Sequence, residues 1–223
     1  MQKTAIKNID VRYSKKYILI ITVLLVAVGI CFFQFNTSSD IDKESIVNYP
    51  PTNTGPIVAF GDSLVSGVGA WTAGGFVTML SEDTGKPILN FGRGGDTATL
   101  ALSRIDQVIA EKPSIVIILL GGNDYLNKVP KEETFANLEH IITKLQGEGS
   151  VTLLLGVRGG LLRDSYESDY QRLAEETGSA YVPNVLDGLL GEDAYMDDVI
   201  HPNEVGYRII AEKVHLVLRE ILP

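Results

Sequence analysis

The sequence predicts an α/β fold: a three-layer α/β/α sandwich around a parallel sheet, preceded by one N-terminal transmembrane helix. Short apolar runs alternate with longer stretches of helical periodicity, the runs are continuous rather than alternating in polarity, and no segment repeats. A continuous apolar run of strand length is typical of a strand buried on both faces. Its alternation with amphipathic helices predicts a parallel sheet covered on both sides.

The first 55 residues contain three segments of different composition. Residues 1–16 carry a net charge of +4 and are expected to form a cytoplasmic tail. Residues 17–35 have no formal charge, and as a helix they would reach about 28 Å, close to the ~30 Å of the bilayer core. Basic residues precede this segment and mainly acidic ones follow it, so we expect a single-pass anchor in the cell (inner) membrane, with the rest of the chain periplasmic or extracellular. Residues 36–55 are polar and Pro-rich, which predicts a tether.

Two alternatives for the apolar segment remain open. One is a cleaved signal peptide, although the apolar run is longer than usual for such a peptide and no small-x-small cleavage site follows it. The other is a lipoprotein signal at Cys31, where the preceding Ile30 is bulkier than such signals usually have. Cys31 is the only cysteine of the chain, so the globular part forms no internal disulfide.

Residues 56–223 are expected to form one domain. The predicted strands lie at 56–60, 88–91, 114–120 and 151–157, with a weaker fifth at 180–182. Helical spacing relates two sets of apolar residues and predicts two core-facing helices. The two sets are Phe135, Leu138, Ile141, Ile142 and Leu145, and Val205, Ile209, Ile210, Val214 and Leu218.

The charge of this domain argues against nucleic acid as a partner. The chain has a net charge of −9, and without the +4 of residues 1–16 the remainder carries −13. Such a body repels phosphate backbones, and its sequence contains no basic cluster.

Polar, glycine-rich clusters follow three of the predicted strands, and a fourth precedes the last helix. They are 61–64 (GDSL), 92–97 (GRGGDT), 121–124 (GGND) and 198–203 (DVIHPN). Ligands of open parallel sheets bind beyond the carboxyl ends of the strands, so all four clusters can meet at one edge.

The residue types in these clusters suggest nucleophilic catalysis by Ser63. A serine hydroxyl needs a base to take its proton, and imidazole is the usual one. Of the three histidines, His140 and His215 lie in predicted helices, whereas His201 lies in a polar loop. Asp198, three residues earlier, can orient one imidazole nitrogen and leave the other for Ser63.

The same clusters offer donors for a developing oxyanion. We predict three of them: the backbone N–H groups of Ser63 and Gly95 and the side chain of Asn123.

The four clusters, in this order and spacing, resemble the four sequence blocks of the SGNH (GDSL) hydrolase family, and the resemblance covers about residue 56 to the C-terminus. The chain is most similar to the bacterial thioesterase I, arylesterase and lysophospholipase group. The resemblance implies a flavodoxin-like sheet and assigns the nucleophile, base, acid and oxyanion donors to the residues named above. The Arg93-Gly94 pair departs from the smaller or hydroxylated pair of many relatives. This suggests a differently shaped oxyanion loop, which comprises residues 92–97.

The expected activity is hydrolysis of carboxyl esters or thioesters through an acyl-enzyme on Ser63. A lysophospholipid or other single-chain lipid ester fits a membrane location. The alternatives are a deacetylase of cell-wall or surface carbohydrate and a non-catalytic anchored binding domain.

Other interpretations of single residues also remain open. Ser63 alone would fit a helix cap. Thr97 replaces the third glycine of a dinucleotide loop, and Asp62, Asp96 and Asp124 fit capping as well as metal binding, so we expect neither a cofactor nor a metal. Residues 158–163 could form a movable lip or a simple turn. Six further residues either line an acyl pocket or simply pack in the core, and the sequence favours neither role: Trp71, Leu161, Leu162, Tyr166, Tyr195 and Met196.

Overall fold

Five parallel strands form the centre of the computed structural model, which describes residues 42–157 and 166–223. The strands are β1 (Ile57–Gly61), β2 (Ile88–Gly92), β3 (Ile115–Leu119), β4 (Val151–Leu155) and β5 (Ala180–Val182). They lie in the order β2-β1-β3-β4-β5, which is the order of flavodoxin-like sheets. The prediction of an α/β fold with a parallel sheet is confirmed.

Helices connect the strands and cover the sheet. They are α1 (Ser63–Ser66), α2 (Gly75–Thr84), α3 (Ala98–Leu102), α4 (Ile105–Ile109), α5 (Gly122–Leu126), α6 (Lys131–Gly147), α7 (Glu167–Thr177) and α8 (Glu204–Ile221). Helix α2 packs against α8, and α6 packs against α3 and α7. Every residue of β1, β3 and β4 is buried, so both faces of the central sheet are covered.

The two predicted apolar helix faces have different outcomes. All five predicted core residues of α6 are buried, as expected. In α8 the prediction is wrong for Val205, which lies in the first turn of the helix and is 55% exposed. Tyr207 is fully buried instead and packs on Phe76 of α2 with ring centroids 6.5 Å apart.

The register of the strands brings their carboxyl ends level with one another. Gly61, the last residue of β1, pairs with Gly92 of β2 and with Leu119 of β3. The loops that follow these three strands therefore begin at one edge of the sheet.

The packed domain begins earlier than the sequence predicted. Residues 42–55 were expected to belong to a tether, but Ile46 is only 6% exposed and joins the core. The side chain of Asn48 donates to the carbonyls of Gln146 and Ser150, at 2.8 and 3.0 Å, and Asn53 donates to those of Pro113 and Glu148. Side-chain amides thus fix a segment that has no apolar periodicity, which is why its sequence resembled a linker.

The predicted anchor at 17–35 and the predicted lip at 158–163 lie outside the described residues. Within 42–157 and 166–223, no helix is long and apolar enough to cross a membrane.

Candidate active site

Ser63 is the first residue of α1 and follows β1 after a single residue. That residue, Asp62, is the N-cap of the helix, and its Oδ1 accepts a hydrogen bond from the Leu64 N–H at 2.9 Å. Ser63 is therefore not the cap itself, and its hydroxyl is available for other contacts.

A chain of hydrogen bonds joins Ser63 to His201 and Asp198. The Nε2 atom of His201 lies 3.0 Å from Ser63 Oγ, and Nδ1 lies 2.8 Å from Asp198 Oδ2. Because a carboxylate only accepts, Nδ1 carries the hydrogen of the neutral ring, and Nε2 is left to accept the Ser63 proton. The structure thus brings together the three residues predicted from the sequence.

The carboxylate of Asp198 is fixed from both sides. Its Oδ1 accepts from the backbone N–H groups of Ile200 and His201, at 2.8 and 2.7 Å. The hydrogen bond to the His201 side chain, with these two backbone bonds, lowers the pKa of Asp198 to about 2. Asp198 is therefore ionised at neutral pH, although its side chain is half exposed.

The loop that carries His201 is held by residues for which the sequence suggested no role. Asn203 caps α8 by accepting from two backbone N–H groups and donates its amide to the Ala194 carbonyl at 3.0 Å. A Cβ at Gly69 would lie 2.3 Å from the Pro202 carbonyl oxygen, so the loop after α1 touches the His201 loop directly. The hydroxyl of Tyr207, in α8, also binds the loop after α1 by donating to the Val68 carbonyl at 2.8 Å.

Gly95 and Asn123 follow the two neighbouring strands at this edge. Gly95 has a φ of +83°, a left-handed conformation that favours glycine. A Cβ on the preceding Gly94 would lie 4.0 Å from Ser63 Cβ, so this loop passes beside the nucleophile. The Nδ2 of Asn123 donates to the Asp96 carbonyl at 3.0 Å and more weakly to Asp62 Oδ2 at 3.4 Å.

The three aspartates that follow β1, β2 and β3 (Asp62, Asp96 and Asp124) are buried and hydrogen-bonded within the protein. Burial raises the pKa of Asp62 to about 7, although the Leu64 N–H partly offsets this. Asp124 accepts the Ala98 N–H at 2.9 Å, and burial raises its pKa as well. Among the described residues, no three His, Cys, Asp or Glu side chains gather as a metal site would require.

Asp96 pairs with a buried arginine that the sequence analysis missed. The Arg104 Nε donates to Asp96 Oδ2 at 2.6 Å, and its Nη2 donates to the carbonyls of Gly61 and Phe91, both at 3.0 Å. Arg104 thereby fixes the ends of two strands and the oxyanion loop together.

A groove of about 410 Å³ lies at the C-terminal end of α5 and along the segment that follows it. Its apolar lining comes from Tyr125, Leu126, Val129 and Tyr166, with two lysines at its border. Of the residues predicted for an acyl pocket, Tyr166 therefore lines a groove, whereas Trp71 is 76% exposed. Tyr195 and Met196 are partly buried against the core, and Leu161 and Leu162 lie outside the described residues.

Comparison with known proteins gives a consistent result. The sequence profile of the GDSL-like Lipase/Acylhydrolase family matches residues 59–209. Esterase TesA of Pseudomonas aeruginosa is 31% identical over 178 residues, which cover 74% of this chain and 89% of TesA. Thioesterase 1/protease 1/lysophospholipase L1 of Escherichia coli K12 is 25% identical over 165 residues, covering 70% and 79%. The crystal structure of TesA superposes with a TM-score of 0.66 at 31% identity, covering 75% of this chain and 99% of that one.

Proposed function

Because the chain belongs to the GDSL-like lipase/acylhydrolase family and is an SGNH-type ester-bond hydrolase, we propose that Ser63, His201 and Asp198 carry out its catalysis. The observation that carries the proposal is the continuous hydrogen-bond chain from Asp198 through His201 to Ser63, with distances of 2.8 and 3.0 Å. This chain of hydrogen bonds supports both the His201 tautomer that catalysis requires and the short distances between the three side chains.

The reaction is a two-step acyl transfer. Ser63 Oγ attacks the acyl carbon while His201 Nε2 takes its proton, and the ion pair with Asp198 stabilises the resulting imidazolium. His201 then gives the proton to the departing alcohol or thiol. Water attacks the acyl-enzyme with His201 again as the base, and the acid leaves.

The oxyanion of each step would be stabilised by the N–H groups of Ser63 and Gly95 and by the Asn123 amide. Two protein acceptors occupy that amide in the free enzyme, and the contact with Asp62 at 3.4 Å is the longer one. The oxyanion would replace Asp62 as its acceptor at little cost, because so long a hydrogen bond is weak. Donors of this kind typically contribute about 100- to 1000-fold in turnover.

The groove at the end of α5 supports an apolar acyl group. Tyr125 and Leu126 are 41% and 53% exposed there, and they follow Asn123 on the same short helix. We therefore assign the acyl side of the substrate to this groove. Single-chain lipid esters and thioesters are then the first candidates.

Deacetylation of surface carbohydrate is the second candidate. Lys43, near the start of the described chain, pairs with Glu220 at the end of α8, whereas His201 lies next to its beginning. The helix has 18 residues and is about 27 Å long. The start of the described chain and the His201 loop therefore lie at opposite ends of α8.

We further propose that residues 17–35 anchor the chain, with residues 1–16 in the cytoplasm and the catalytic domain outside it. Protease added to intact spheroplasts should remove the domain and leave the N-terminal tail protected. Loss of the first 30 to 40 residues from the mature protein, measured by mass spectrometry, would contradict the anchor.

A panel of p-nitrophenyl esters from acetyl to palmitoyl tests the function. Ser63→Ala should abolish hydrolysis of every ester while leaving the circular dichroism spectrum unchanged. Activity on acetyl that disappears at octanoyl favours the deacetylase over the lipid esterase. Equal turnover by wild type and Ser63→Ala would disprove the role of Ser63.

A further inference from the structure

Two arginines approach the single carboxylate of Asp96 beside the active site. Arg104 and Asp96 are both buried and form a close ion pair at 2.6 Å, which satisfies both charges. Arg93 lies farther away, with Nε 3.7 Å from Asp96 Oδ1, and its side chain is 69% exposed. Within residues 42–157 and 166–223, the only carboxylate paired with the Arg93 side chain is therefore Asp96, at this longer distance, and Asp96 already pairs closely with Arg104.

Arg93 lies on the loop that passes beside Ser63. The Arg93 N–H donates to the Gly61 carbonyl at 2.9 Å, which fixes the residue next to the end of β1. The next residue, Gly94, passes beside Ser63. The side chain of Arg93 is long and 69% exposed, so from this position it can extend toward an ester bound at Ser63.

The negative charge of the rest of the protein bears on how the Arg93 cation can select substrates. Outside residues 1–16 the chain carries a net charge of −13, which repels anionic substrates at long range. Salt screens that repulsion beyond about 8 Å, so the charges inside the site decide which substrates are retained. A guanidinium pairs with phosphate or carboxylate through two parallel hydrogen bonds, and it offers a neutral ester no such contact.

We propose that Arg93 is a specificity-determining residue, which selects esters or thioesters whose leaving group carries a phosphate or a carboxylate. The inference rests on the proposed function of Ser63. It assigns the anion to the leaving group because the proposed function places the acyl group in the groove at the end of α5.

A matched pair of substrates tests the proposal on the full-length protein. 4-Butyryloxybenzoate and 4-butyryloxybenzamide share an acyl group and differ in the charge of the leaving group. We expect Arg93→Gln to lower the ratio of their kcat/KM values, anionic over neutral, about tenfold, and Arg93→Lys to lower it less. Added salt should lower the ratio for wild type more than for Arg93→Gln.

Arg219→Gln is the control, because it removes the same charge in the last turn of α8, at the end away from His201. It should leave the ratio unchanged. An Arg93→Gln ratio equal to that of wild type, or an equal fall in Arg219→Gln, overturns the role of Arg93 while hydrolysis by Ser63 still stands. Equal turnover in Ser63→Ala would instead reject the hydrolase mechanism and this inference with it.

Natural leaving groups extend the same test. Palmitoyl-CoA and 1-palmitoyl lysophosphatidic acid both carry phosphate on the leaving group, whereas monopalmitoylglycerol is neutral. The proposal is supported if Arg93→Gln lowers kcat/KM for either phosphate substrate relative to monopalmitoylglycerol. The substrate that is affected shows whether the phosphate recognised by Arg93 belongs to a nucleotide thioester or to a lipid head group. The same relative rates as in wild type for all three contradict it.

Discussion

Replacement of Asp198 by asparagine should impair catalysis through the histidine tautomer. Oδ1 of Asp198 accepts from two backbone N–H groups, and Oδ2 faces His201 Nδ1. An asparagine must keep its oxygen against the two N–H donors, so its NH₂ group faces Nδ1. The imidazole then carries its hydrogen on Nε2, facing Ser63, and cannot accept the serine proton.

The size of the effect follows from these contacts. Turning the amide to restore the correct tautomer would break two hydrogen bonds worth about 1 kcal/mol each. Loss of the carboxylate beside the imidazolium adds about 2 kcal/mol, a value reduced from the buried case because Asp198 is half exposed. The total of about 4 kcal/mol corresponds to roughly a thousandfold loss in kcat.

The assay is hydrolysis of p-nitrophenyl butyrate at pH 7.5, with thermal unfolding as the check on folding. Asp198→Ala provides a comparison, because it leaves space for water to accept from Nδ1 and imposes no wrong tautomer. We expect Asp198→Asn to be at least as slow as Asp198→Ala. An asparagine variant that keeps more than a tenth of wild-type kcat would refute this reasoning.

Three further predictions concern the residues around the nucleophile. Arg104→Ala should lower the free energy of unfolding by about 3–5 kcal/mol in urea, because it leaves the Asp96 carboxylate buried without its partner, whereas the exposed Arg93→Gln should cost less than about 1 kcal/mol. Gly95→Ala and Gly85→Ala should each lower the free energy of unfolding by about 1–2 kcal/mol, since both positions have positive φ and an open Cβ site. Only Gly95→Ala should also lower kcat, and a kcat equal to that of Gly85→Ala would remove Gly95 from the oxyanion site. The pKa of Asp62 is raised in the folded state from 3.8 to about 7, so between these pH values the unfolded state binds fewer protons than the folded state. The free energy of unfolding should therefore fall as pH rises from about 4 to 7. Unfolding curves from pH 4 to 8 should therefore show a smaller fall in Asp62→Asn, and equal pH dependence in both proteins would contradict the shift.

Much of the fold followed from local patterns. The centre of the sheet is buried on both faces, so β1, β3 and β4 had to be apolar at nearly every position, and that pattern is visible in the sequence. The edge strand β2 is only partly buried, yet its apolar residues still marked it. Residues 42–55 escaped prediction because the side-chain amides of Asn48 and Asn53 hold them to distant backbone carbonyls.

The site was predictable where chain order determines geometry and not where distant segments meet. Clusters that follow neighbouring parallel strands must share an edge, which identified Ser63, Gly95 and Asn123. The three-residue spacing of Asp198 and His201 allowed their contact. The Arg104 contacts with two strand ends depend on tertiary packing, and nothing in the local sequence specifies them.

Labelling with a fluorophosphonate probe tests the central claim most directly, because the probe reacts only with an activated serine. We predict that the wild-type protein is labelled at Ser63, that His201→Ala and Asp198→Asn are labelled far more slowly, and that Ser63→Ala is not labelled. Wild-type protein that stays unlabelled while a known serine hydrolase reacts, or label that persists in Ser63→Ala, would contradict the account.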